Sequence, residues 1–198
     1  MNSILLYLTK FQIGLIGGKY ARTEKVKLPD GKDQEIVIFS GAKPLFSGQC
    51  TPLRKIIIHE PVLNNERRFN YIFQHEMANK RQWWSYLFIP LYFGIVILII
   101  WGQVLVLKND NQLKFLPLEM IILAILMYAV FSWVLELDAD MQTIKIIGLY
   151  EFLHIVSNPQ QSLKNDFSSK IIVGITHPPT NITIRCWKWL HRNDANNL

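Results

Sequence analysis

Residues 82–107 read QWWSYLFIPLYFGIVILIIWGQVLVL, 26 residues without a charge. Residues 115–135, FLPLEMIILAILMYAVFSWVL, repeat the pattern with a single charge, Glu119, in 21. A helix needs about 20 apolar residues to cross a hydrocarbon layer of roughly 30 Å, and lipid offers a non-helical backbone no partners. Each run therefore predicts a transmembrane helix, over about 83–107 and 115–135. Trp83, Trp84 and Tyr86 stand at one end of the first as an interfacial aromatic belt does, and Pro90 lies near its start, where a helix tolerates it best. The link, residues 108–114, is KNDNQLK, too short for anything but an antiparallel hairpin. Both flanks then share one side of the membrane. All but two of the 21 Lys and Arg residues lie on those flanks, which predicts a cytoplasmic body on a multi-pass protein of the cell membrane.

The composition agrees. The chain has 198 residues, half of them hydrophobic and only 18% charged, with a mean hydropathy of +0.16. That excludes a disordered or solvating chain, which needs fewer apolar residues. The net charge of +6 is not gathered into a basic stripe with interleaved aromatics, so no nucleic-acid partner is expected, and the charge is read as orientation toward anionic headgroups of the bilayer. Cys50 and Cys186 form no close-spaced pair and read as free thiols.

Outside the spans, residues 1–20 are apolar without a basic leader region and are expected as a strand or a membrane-surface segment rather than a cleaved signal. Pro29-Asp30-Gly31 marks a turn. Residues 34–40, QEIVIFS, and 55–59, KIIIH, read as strands, with a loop over 43–52 between them. Asn64 or Asn65 caps a helix that runs through Asn79 and feeds the first span. After the second span, residues 136–147 continue as helix to a break at Gly148, with a short helix over 149–156. Residues 157–170 form a polar loop, and Trp187, Trp189 and Leu190 give the tail something to pack with. Three parts result: 1–81, with an edge strand and the helix ending at Asn79; the hairpin, 82–135; and 136–198.

The helix before the first span contains HEMAN, residues 75–79. In the metalloprotease helix motif two histidines four apart share a face and hold a zinc ion, and the glutamate after the first acts as base. His75 and Glu76 fill two of those places, and the second ligand position is Asn79. The second span ends in ELDAD, residues 136–140. A hairpin returns that end beside the start of the first span, so Glu136 can approach His75 across the sequence. Glu136 and Asp140 share a helix face. One can bind a metal while the other accepts the ring proton of a ligating histidine. Read singly, an exposed helix face and a solvating acidic cluster explain the same two segments.

The order of elements is more specific than either motif. A strand, a helix with His75-Glu76, a transmembrane hairpin, a helix with Glu136-Leu137-Asp138-Ala139-Asp140 and then Thr176-His177-Pro178-Pro179 resemble the HtpX-like integral-membrane zinc metalloproteases, a gluzincin family, over roughly residues 34–190. The resemblance implies an α+β membrane protein: a small cytoplasmic zincin-like domain with the two-helix hairpin inserted between its two motif helices. It implies peptide-bond hydrolysis in membrane or membrane-proximal substrates and one zinc ion. His75 would be a zinc ligand, position 79 the second and Glu136 the third, with Glu76 the general base. Asp140 would support His75, and His177 and Arg185 would lie near the cleft, steadying substrate or oxyanion, although Arg185 is displaced from the family's arginine. The substrate would lie extended along an edge strand, here residues 34–40. Asn79 departs from the pattern, because a carboxamide oxygen is a poorer zinc donor than imidazole nitrogen. Three readings follow: an altered chain whose natural histidine was replaced, a pseudoprotease that binds peptides or partners without cutting, or a metal site completed by His154 or His177.

Overall fold

A computed structural model of the chain describes residues 3–41, 47–82, 84–106, 116–156 and 177–191, and among these it is mixed α and β with six α-helices and one four-stranded sheet. The turn at Pro29-Asp30-Gly31 is present: Gly31 has φ +80°, and Asp30 Oδ1 accepts from the Lys32 N–H at 3.1 Å. A left-handed φ favours glycine because there is no Cβ to clash. The turn joins β1 (Lys19–Lys27) to β2 (Asp33–Ser40) in an antiparallel hairpin. β4 (Ile56–His59) pairs parallel to β2, and β3 (Gly48–Cys50) pairs antiparallel to β4, giving the order β1-β2-β4-β3.

This order corrects the expected position of residues 34–40. They are flanked by strands on both sides, so they are interior and not an edge. The physical reason lies in the run itself. Side chains alternate between faces along a strand. Ile36 and Ile38 join Ile56, Ile58, Val62, Ile72 and Phe73 in one core, while Val37, Phe39 and Ile57 join Ile13 in another. Only a strand covered on both faces keeps so unbroken an apolar run. The edges are β1 and β3, the latter inside the stretch expected as loop. His59 at the end of β4 is tied into the sheet, with Nε2 3.0 Å from the Gly41 carbonyl oxygen and its ring stacked on Phe39.

Each sheet face carries a helix. α1 (Ser3–Leu15) covers the Ile13 side, so this part is helical rather than a strand. It turns Ile4, Tyr7, Leu8, Phe11 and Leu15 outward. α2 (Glu66–Arg81) covers the other face. Its N-terminus is capped by Asn65, whose side chain accepts from the Arg68 N–H at 3.0 Å, satisfying one of the free amides of the first turn. α2 lies so close to β3 that a Cβ on Gly48 would collide with the Ile72 side chain. Gly48→Ala is therefore expected to lower stability by ~1–3 kcal/mol, the usual cost of overpacking, read as a lowered denaturation midpoint.

α3 (Ser85–Val106) and α4 (Leu116–Ile147) lie side by side and run in opposite directions. Trp84 meets Phe131, Phe93 meets Tyr128, and Tyr92 Oη donates to the Ala124 carbonyl at 3.2 Å. Among the described residues one helix is long and apolar enough to cross a membrane, over Ile121–Ile147, and α3 contributes a shorter apolar stretch, Leu91–Gly102. The link at 108–114, the polar loop at 157–170 and the segment 171–176 lie outside the described residues. α4 continues through the acidic motif to Gly148, φ +88°, where α5 (Leu149–Val156) begins. Phe152 of α5 is buried edge-on against Tyr71 of α2. α6 (Thr180–Leu190) follows Pro178-Pro179. The tail is thus helical, and Trp189 and Leu190 are exposed rather than packed.

Candidate functional site

The C-terminal half of α2 meets the C-terminal part of α4. Gln82, just past the end of α2, donates from Nε2 to Asp138 Oδ2 at 2.6 Å and to the Leu135 carbonyl at 3.2 Å. Arg81 Nη1 donates to Gln142 Oε1 at 3.3 Å. These bonds fix the rotation of one helix against the other and turn His75 toward the face of α4 that carries Glu136 and Asp140.

His75 sits buried between the two carboxylates. Its Nε2 is 3.0 Å from Glu136 Oε2 with hydrogen-bond alignment. Its Nδ1 is 3.0 Å from Asp140 Oδ1, at ion-pair distance without that alignment. Asp140 is steadied from α6, where Thr183 Oγ1 donates to its Oδ2 at 3.2 Å. His177, just ahead of α6, places Nε2 3.4 Å from the same Glu136 oxygen that faces His75. Three distant segments of chain thus converge on Glu136 Oε2.

Glu76 is buried one residue on and faces the sheet. Its Oε2 accepts from the Cys50 N–H of β3 at 2.6 Å and from Asn79 Nδ2 at 3.3 Å. Antiparallel pairing alternates the direction of backbone groups. Thr51 N–H bonds Lys55 across the ladder, so Cys50 N–H is aimed off the free edge, where Glu76 meets it.

Burial by itself pulls the His75 pKa down, but the adjacent carboxylates of Asp140 and Glu136 outweigh it and hold the pKa well above the usual histidine value. Burial pushes Glu76 up, partly offset by His75 and reinforced by Glu136. Burial, with the Glu76 charge beside it, lifts the Cys50 thiol to about 12, so this thiol stays protonated at neutral pH. Both His75 and Glu76 bind protons more tightly folded than unfolded. Stability from such groups is present at low pH and is lost as pH rises through the folded-state values. The metal-free protein is expected to lose stability steadily above about pH 6, where a free histidine begins to deprotonate. Unfolding midpoints across pH in chelator check this; a midpoint that rises from pH 6 to 9 is the contrary result.

Of the residues singled out in the sequence, His75, Glu76, Asn79, Glu136, Asp140 and His177 are brought together, joined pairwise by the contacts above. Arg185 is not: it is exposed on α6, about 200° around the helix from Thr183. His154 is exposed on α5. Sequence reasoning missed Thr183, Gln82 and the Cys50 amide. The signal for Thr183 was Pro178-Pro179, which a helix interior does not admit and which therefore marks where a helix can begin.

Imidazole nitrogen and carboxylate oxygen are zinc donors, and a second carboxylate behind the imidazole is the usual support of a ligating histidine, so His75 and Glu136 fit two ligand places. Asn79 directs its amide to Glu76. Among the described residues no three His, Cys, Asp or Glu side chains form a ready-made group around an ion, because both imidazoles face one carboxylate oxygen. No family model, curated protein or solved structure matches this chain.

Proposed function

We propose that this chain is a membrane-bound zinc metallopeptidase of the HtpX-like type, acting on membrane or membrane-proximal proteins. The observation that carries this reading is the buried His75 held between Glu136 and Asp140 of another helix, with 61 positions of sequence between His75 and Glu136. The same reading takes α3 and α4 as two antiparallel spans of a hairpin, with the body cytoplasmic. Support comes from the apolar side chains they turn outward, among them Leu91, Ile97, Leu98, Trp101, Leu126 and Val130, and from the exposed apolar face of α1, which suits a membrane surface.

His75 and Glu136 would hold the ion, and Asp140 would keep the His75 ring oriented. When bound, zinc supplies a Lewis acid that polarises the scissile carbonyl. Glu76 supplies the base: burial raises its pKa, which makes the carboxylate a stronger proton acceptor, and the Cys50 N–H fixes it in place. A substrate peptide would pair with the free edge of β3, beside Glu76, and not with β2.

One observation favours a second reading, a peptide-binding protein that does not cut. Glu76 Oε2 already accepts from both Cys50 and Asn79, which lowers its readiness to take a proton. Zinc content and hydrolysis of an unfolded protein substrate by the detergent-purified chain separate the two. About one zinc per chain, with cleavage abolished by chelator and restored by zinc, is expected. Cleavage appearing only after Asn79→His establishes the second reading, and absence of zinc and cleavage from both chains removes the metallopeptidase reading.

A further inference from the structure

We propose that His177, and not Asn79, supplies the third protein ligand of this metal centre. The inference rests on the metallopeptidase reading and adds to it a ligand set of His75, Glu136 and His177, drawn from α2, α4 and the turn before α6.

Four observations carry it. Glu136 Oε2 lies 3.0 Å from His75 Nε2 and 3.4 Å from His177 Nε2. Donors bound tetrahedrally at about 2.0–2.2 Å are roughly 3.3–3.6 Å apart, and both of these separations lie close to that range. The donor set is two imidazoles and a carboxylate, a combination known from catalytic zinc sites that leave a fourth position open. The segment carrying His177 is anchored to the site independently, because Thr183 on the following helix holds the carboxylate that supports His75. Finally, Asn79 is occupied with Glu76.

Cobalt(II), a spectroscopic substitute for zinc, tests this on the full chain in detergent after removal of bound metal by chelator. Affinity is read by competition with a chelating dye, and coordination by visible absorption. Asn79→Ala is expected to bind within about threefold of the unaltered chain. His177→Ala is expected to bind at least ~100-fold more weakly, since losing even a residue that supports a ligand costs 10–100-fold. His177→Cys guards against misfolding of the alanine variant. It should retain cobalt and acquire a thiolate-to-cobalt charge-transfer band, which arises only if position 177 touches the metal. Unchanged affinity in His177→Ala, or cobalt bound by His177→Cys without that band, overturns the inference while leaving a metal centre in place. Failure of the unaltered chain to bind cobalt or zinc removes both the inference and the reading beneath it.

Discussion

Replacing Glu136 by alanine is expected to destabilise the metal-free chain by ~3–5 kcal/mol, the cost of removing one partner from a buried ion pair. Glu136 bridges α2 and α4 through His75 and reaches His177 as well, and both it and His75 lie mostly out of water. Alanine leaves the protonated His75 ring buried with Asp140 alone and opens a gap where the helices meet. Chemical denaturation at pH 6, where the ring is charged, reads the loss directly. A double change with His75→Ala should cost clearly less than the sum of the two single changes, because residues in one network couple. Additive costs, or a loss below about 1 kcal/mol, would mean that the pair is solvated and that α2 and α4 are joined elsewhere.

Glu76→Gln is the second large effect. Peptide hydrolysis is expected to fall by about 10²–10⁴-fold, the usual contribution of a general base, while zinc content stays unchanged. A glutamine oxygen can still accept from the Cys50 N–H, so the helix–sheet junction survives. The same variant should be more stable than the unaltered chain at pH 8, because a neutral amide escapes the penalty of burying a carboxylate whose pKa is already raised. Loss of activity together with loss of zinc would instead make Glu76 a metal ligand. Unchanged activity would assign the base elsewhere.

Much of the molecule can be read from local chemistry. Asn65 caps α2, Gly148 breaks α4 from α5, and Pro29-Asp30-Gly31 turns a hairpin, because each residue type has a conformational reason to be there. The elements that escaped are specified by partners far along the chain. β1 is largely polar and exposed, and pairing with β2 makes it a strand. β3 is three residues in a proline- and glycine-rich stretch, ordered by pairing with β4 and by Glu76 on its amide. The apolar start of the chain suits strand and helix equally until Ile13 is seen to pack on the sheet. In α6, four β-branched residues among the first five weaken the local signal.

The site divides in the same way. His75, Glu76, Glu136 and Asp140 announce themselves by spacing on helices, and the order of the two helices around the apolar runs brings them together. The interior position of residues 34–40 was present in their unbroken apolar run, which a half-exposed edge strand does not need. What spacing does not carry is direction: that Asn79 turns to Glu76, that Cys50 offers its amide there, and that His177 returns to the oxygen facing His75. Those depend on the free edge of the sheet and on the start of α6, two features with weak local signatures.

On the proposed reading, two helices of an apolar hairpin bring an imidazole and a distant carboxylate onto one ion. Anomalous diffraction at the zinc absorption edge, from crystals of the zinc-saturated chain, tests it most directly. The expected result is a single peak about 2.0–2.2 Å from His75 Nε2 and from an oxygen of Glu136. A saturated chain whose zinc lies elsewhere, with His75 and Glu136 still bonded directly to one another, would contradict it.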